Sequence, residues 1–170
     1  PLKDKSVDKI ISTLALHWVN SLRVAAEEMY RVVKNDGAVD ILMIAKNDGA
    51  NFKKSIVEAQ KKHLTFGQIM KTATLVQRAT EKDVMEQFSV FDQEFDIDIK
   101  TFNNVVFGSF EDHMTWWKAR SSPVIAEVED KDLFMQDLET ELVKINTSEG
   151  IPFDIEYLWI TIKGKGNDYE

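Results

Sequence analysis

The sequence predicts an α/β domain whose sheet has four or five strands, two of them parallel and central. Three observations carry this. First, two apolar, β-branched runs, Val7–Leu14 and Ala38–Ala45, flank an amphipathic segment, Leu22–Lys34, that ends in Asn35-Asp36-Gly37. Strand, helix, tight turn and strand form a βαβ unit, whose strands are parallel and covered by helices. Second, the spacing of Phe134, Leu138, Leu142 and Ile145 gives one apolar stripe on a helix from Asp130 to about Asn146. Third, Phe153–Tyr157 alternates and Leu158–Ile162 is apolar on both faces, a strand that enters a covered sheet centre.

The other elements follow in order. Asn20 or Ser21 can cap the first helix, whose stripe is Leu22, Ala25, Met29, Val32 and Val33, with Glu27, Glu28 and Arg31 on the other side. Gly37 stops it, because glycine tolerates the positive φ that ends helices. Asn47-Asp48-Gly49 is a turn, and 51–63 is helical with Phe52, Ile56 and Ala59 on one face. Thr65-Phe66-Gly67-Gln68 is a capping box opening a helix through Ala79, and Thr80-Glu81-Lys82-Asp83 opens another to Phe88. Residues 48–90 therefore form a helical insertion. Phe95, Ile97 and Ile99 alternate with Asp96 and Asp98 as a half-exposed strand, and Val105-Val106-Phe107 is a brief apolar run. Ser109 to Asp112 caps a helix containing Met114, Trp116, Trp117 and Ala119, which Ser121-Ser122-Pro123 breaks. Residues 163–170 read as a polar tail.

Composition bounds the function. The chain has 170 residues, a net charge of −8 and 44% apolar residues. That suits a single packed domain, 1–170, and gives no basic footprint for nucleic acid or an anionic membrane. No segment approaches the roughly 20 apolar residues that span a bilayer. The absence of cysteine excludes disulfides and thiolate chemistry and suits a reducing compartment, so the expected location is cytoplasmic. No Gly-rich phosphate loop, Gly-x-Gly-x-x-Gly or His-Glu-x-x-His pattern occurs, and His17, His63 and His113 are too dispersed to assign a metal. Glu27-Glu28 and Glu111-Asp112 read as solvated helix surface or caps.

One stretch points to chemistry. The strand ending near Leu14 delivers Ala15-Leu16-His17-Trp18 into the turn before a helix. Open parallel sheets bind ligands outside the carboxyl ends of their strands, so His17 and Trp18 are placed to touch one. The competing reading is that His17 caps the helix or packs, and that Trp18 is core.

Residues 7–20, Val-Asp-Lys-Ile-Ile-Ser-Thr-Leu-Ala-Leu-His-Trp-Val-Asn, followed by Ala26-Glu27-Glu28-Met29-Tyr30-Arg31-Val32-Val33-Lys34-Asn35-Asp36-Gly37, resemble part of the class I S-adenosylmethionine-dependent methyltransferases. The part is the fourth strand, the helix after it and the entry to the fifth strand. Asp8, His17, Arg31, Lys34 and Gly37 match, while Asn35-Asp36 replaces the commoner Pro-Gly. More loosely, residues 107–118 and 151–157 resemble the helix after the sixth strand and the antiparallel seventh strand, as in the malonyl-thioester, biotin-pathway and ubiquinone-pathway-like branch.

The resemblance implies a partial Rossmann-like sheet, fourth to seventh strands, with helices on both faces. It implies S-adenosylmethionine as cofactor, with Leu14, Ala15 and Leu16 along its wall. His17 would orient the acceptor or take its proton, and Trp18, Trp116 and Trp117 are substrate contacts. Trp116 and Trp117 point about 100° apart on a helix, so at most one faces a pocket; core packing is their other reading. The acidic-Gly-x-Gly-x-Gly cofactor loop is absent and there is no initiator Met, so the chain is expected to be the second half of a longer protein. The implied function is methyl transfer to a small molecule or a carrier-bound acyl group. The alternative is a catalytically silent methyltransferase-like assembly module. Lacking its first strands, the sheet should expose an edge, and a homodimer or a complementing N-terminal half would cover it.

Overall fold

The computed structural model describes residues 2–73 and 78–165. Four strands, β1 (Val7–Thr13), β2 (Val33–Ile44), β3 (Phe95–Gly108) and β4 (Ile151–Gly164), form one sheet in the order β1-β2-β4-β3. β1 and β2 are parallel and joined through helix α1 (Leu22–Val32), while β2 and β4 are antiparallel. The fold is thus α/β with a mixed sheet, as the βαβ pattern predicts. β1 lies at the border of this sheet rather than at its centre, because no described strand pairs with its outer side.

The chain folds as two compact units, Pro1–Asp48, Val76–Asn103 and Glu156–Glu170 in the first and Gly49–Leu75 and Asn104–Ile155 in the second. In the first, period-two patterning decides the core. Val39, Ile41 and Met43 of β2 and Leu158, Ile160 and Ile162 of β4 share one face, and none exceeds 1% exposure. They pack in one cluster with Leu22 and Ala26 of α1 and with Phe88, Phe91 and Phe95. Burying each such side chain contributes roughly 1.5–3 kcal/mol. Helix α4 (Glu81–Gln87) belongs here, and its Thr80–Asp83 capping box forms in both directions.

The join between α1 and β2 departs from the sequence reading. The helix ends at Val32 and β2 begins at Val33, ahead of Gly37. The register jumps from Val7↔Val33 to Lys9↔Ala38, so residues 34–37 form an irregularity inside the strand. Gly37 is needed there for close approach: a Cβ would lie 2.7 Å from the Val33 side chain and 2.8 Å from the Asp8 carbonyl oxygen. Ser21, not Asn20, caps α1, accepting from Val24 N.

The second unit is mainly helical, with α2 (Ala50–Gln60), α3 (Phe66–Ala73), α5 (Phe110–Arg120), α6 (Ser122–Ala126) and α7 (Lys131–Val143). Phe52, Ala59, Phe134, Leu138 and Leu142 are fully buried in its core. Ser109 and Asp112 close a reciprocal capping box on α5, and Asp130 caps α7 at Leu133 N. The two apolar runs read around 95–99 and 105–107 are one strand, β3. Of the proposed polar tail, Lys163 and Gly164 end β4, and residues 166–170 lie outside the described residues. The expected helix from 65 to 79 is described only as α3, since 74–77 also lie outside.

Candidate functional site at the carboxyl edge of the parallel strands

β1 ends at Thr13, and the chain then leaves the sheet abruptly. Leu14 takes a left-handed backbone, φ 53°, while its N–H donates to Leu42 O at 2.8 Å. A non-glycine residue in that region is strained by about 1–3 kcal/mol, and such strain gathers at functional turns. A single 3-10 turn, Leu16–Trp18, follows, with Trp18 N donating to Ala15 O at 3.0 Å. The Ser21 cap then starts α1.

This turn sorts its side chains. Leu16 and His17 point inward, at 5% and 6% exposure, whereas Leu14 and Trp18 are exposed at 41% and 52%; Ala15 is exposed as well. The His17 and Trp18 rings lie 5.2 Å apart, tilted by 45°. His17 is therefore held in place beside an aromatic face that solvent or a ligand can reach. Leu14 and Ala15 form the exposed rim of the turn. Leu16 is part of the core cluster, so any contact it makes with a ligand runs through its backbone.

Beside the end of β2, strand β4 adds a carboxylate that no sequence pattern marks. Glu156 accepts from Asn47 N at 3.1 Å, and Ala45 N donates to Glu156 O at 2.8 Å. Glu156 reads from sequence only as the polar member of an alternating strand; the β2–β4 pairing brings it to this edge.

Asp8, Arg31 and Lys34, which contribute to the family resemblance, form a clamp at the opposite end of β1. Lys34 donates to Asp8 at 2.6 Å. Arg31 donates to Glu28 at 2.6 Å, to Leu2 O at 3.0 Å and to Asp4. The Lys34 hydrogen bond holds the Asp8 carboxyl below the usual carboxylate range. Exposed pairs of this kind are screened by solvent and add little to stability. They tie the helix end to the strand start and take no part in chemistry at the other edge.

The tryptophan pair belongs to the second unit. Trp117 is buried at 7% exposure and its ring lies 6.2 Å from Phe134. Trp116 is half-buried, 4.9 Å from Phe153 and 5.7 Å from Phe52. An open depression of about 380 Å³ on α5 and α7 is lined by Phe110, Glu111, Met114, Thr115, Lys118 and Glu139, and includes neither tryptophan. In the same unit His113 is buried at 2% exposure and donates from Nε2 to Ile151 O at 2.8 Å. His63 bonds Asp137 at 2.8 Å, and Lys62 bridges Asp137 and Glu141 at 2.7 and 3.1 Å. Among the described residues no group of three or more His, Asp or Glu could hold a metal ion, and no helix is long and apolar enough to cross a membrane.

Comparison with known proteins places the likeness on the same stretch. A family model described as a methyltransferase domain matches residues 1–41. The human mitochondrial arginine-hydroxylase NDUFAF5 is 43% identical over 37 residues, which are 22% of this chain and 11% of that protein. The match thus spans about a tenth of the curated relative's length. Among solved structures, a Bacillus halodurans protein described as a candidate methyltransferase superposes with a TM-score of 0.56 at 14% identity, over 96% of this chain and 72% of its own. The YcgJ protein of Bacillus subtilis gives 0.56 at 18% identity, over 98% and 68%. At these identities the likeness is one of fold: the chain has a Rossmann-like α/β architecture of the kind seen in methyltransferases.

Proposed function

We propose that these residues form the acceptor side of an S-adenosylmethionine-dependent methyltransferase acting on a small molecule or a carrier-bound acyl group. The observation that carries this is the strained Leu14 turn, which fixes buried His17 beside exposed Trp18 at the carboxyl edge of a parallel strand pair. The family-model match over the same residues supports it.

The bound cofactor would supply an electrophilic methyl group. Leu14 and Ala15 would line its wall. Trp18 would shield the acceptor from water, and His17 would orient the acceptor or take the proton that it loses on methylation. Cofactor affinity would need a Gly-rich segment that these 170 residues do not contain, adding its strands on the outer side of β1. Isolated, the 170 residues should bind S-adenosylmethionine weakly or not at all; micromolar affinity in a calorimetric titration would contradict that division of labour.

The human relative supports a second reading, in which the same edge serves hydroxylation of an arginine side chain. The test is product analysis. A protein carrying these residues together with a cofactor-binding segment is given S-adenosylmethionine and a panel of small-molecule, acyl-thioester and arginine-peptide acceptors, with dioxygen and a two-electron reductant present so that hydroxylation, which consumes both and releases water, can occur. Formation of S-adenosylhomocysteine with a methylated acceptor supports the first reading. A hydroxylated arginine peptide without it supports the second. With neither product, the reading of the protein as a catalytically silent assembly module is favoured over both.

A further inference from the structure

We propose that β3 is an interface between two copies of this chain, paired antiparallel about Asn104. Within the described sheet β3 pairs only with β4, so its other side is an edge. Lys165 N donates to Glu94 O at 2.9 Å, and the Phe102 ring stacks on Tyr157 at 5.0 Å. Both contacts, and the equal fourteen-residue lengths of the two strands, fit one antiparallel register in which Phe102 stands opposite Tyr157. Antiparallel strands alternate their bonding direction. With Glu94 bonded to β4, the odd-numbered Thr101, Asn103, Val105 and Phe107 turn their N–H and C=O groups outward.

Residues 101–107, Thr-Phe-Asn-Asn-Val-Val-Phe, contain no charge and no proline. Phe102, Val105, Val106 and Phe107 are exposed at 40–44%. Edges are normally protected by charge, proline or cover, and this stretch has none of them. β1, also a border strand, is half as long, and its Asp8 and Lys9 are engaged in ion pairs with Lys34 and Asp40.

The stretch is complementary to itself. With Asn104 opposite Asn104, Phe102 faces Val106, Thr101 faces Phe107 and Asn103 faces Val105. Aromatic and β-branched residues opposite one another are favourable pairs. Lys100 falls opposite Gly108, and Asp96 and Asp98 lie beyond the overlap. Two chains of net charge −8 would thus meet along a neutral strip with no like charges facing.

The pairing is independent of the methyltransferase reading and is tested without any substrate. Sedimentation equilibrium from about 1 to 100 μM, a range typical of modest interfaces, should show the mass doubling. Val105→Pro removes an outward N–H and leaves the β4 ladder intact, so it should shift the dimer midpoint at least tenfold while thermal unfolding stays cooperative. Val105→Lys is the fallback should the proline variant fail to fold. Because the chain has no cysteine, Asn104→Cys reports register: opposed Cα atoms about 4.5 Å apart in a non-hydrogen-bonded pair are within disulfide reach. Mild oxidation should cross-link Asn104→Cys and leave Asp98→Cys monomeric. A monomer throughout, a dimer unaffected at Val105, or cross-linking at position 98 instead of 104 overturns the proposal.

Discussion

Two buried histidines show how differently one residue type is used in the two units. His17 stands at the end of a parallel strand, next to an exposed tryptophan and after a strained residue. His113 lies mid-helix, its Nε2 committed to the Ile151 carbonyl and its ring close to Phe52, Trp116 and Phe153 at 5.0, 6.0 and 6.4 Å. Burial alone does not distinguish a site residue from a packing residue. What differs is the surrounding structure: His113 sits among the rings of Phe52, Trp116 and Phe153, while the ring beside His17 is the half-exposed Trp18 at a strand end.

That contrast breaks first at the level of rate. In a protein that also carries the cofactor-binding segment, His17→Ala should lower turnover about 10²–10⁴-fold if it acts as general base, with cofactor affinity little changed. His113→Ala should leave turnover per folded molecule unaltered. Paired kinetics and unfolding midpoints settle it, and an unchanged rate for His17→Ala retires its catalytic role. Next in size is the helical core. Leu138, fully buried on α7, should cost about 2–5 kcal/mol when cut to alanine; a loss below 1 kcal/mol in urea unfolding would mean that the site collapses around the gap. His113→Ala should then cost about 1–3 kcal/mol by removing a buried donor to the Ile151 carbonyl, and His113→Gln, which keeps a donor, should recover part of it. Ser109→Ala removes half of the α5 capping box and should cost about 0.5–2 kcal/mol.

The smallest effect is one of pH. Lys62, and after it His63, hydrogen-bond Asp137 and hold its carboxyl below the usual range. A carboxyl depressed in the folded state stabilises the fold above its unfolded value of about 3.9, and that contribution is lost as pH falls through the lower folded value. Asp137→Asn should therefore lower stability near neutrality, where the ionised carboxylate acts, and flatten the acid limb of a stability–pH curve until the two proteins converge at low pH. An acid limb identical to that of the parent would show that α2 and α7 gain nothing from this carboxylate.

Much of this was legible before any coordinates. The βαβ unit follows from two β-branched runs around an amphipathic helix, and the Leu138 stripe and the capping sequences at Thr80, Ser109 and Asp130 are local patterns that local geometry satisfies. His17 could be singled out because a strand end, a turn and a helix start are all marked in sequence. Local pattern makes Gly37 a helix stop, yet it serves a close approach to Asp8, because its neighbour in space lies 29 residues away.

The sequence by itself determined the alternation and the stripes, hence which faces are buried, because periods of 2 and 3.6 residues are fixed by backbone geometry alone. Tertiary structure decided what depends on strand order. It put β1 and β3 at the borders, brought Glu156 to the edge where β2 ends, merged two apolar runs into one fourteen-residue strand, and paired His63 with Asp137 across 74 residues of chain. Those outcomes turn on contacts between distant residues, and loop-closing contacts of that kind leave no local period to read.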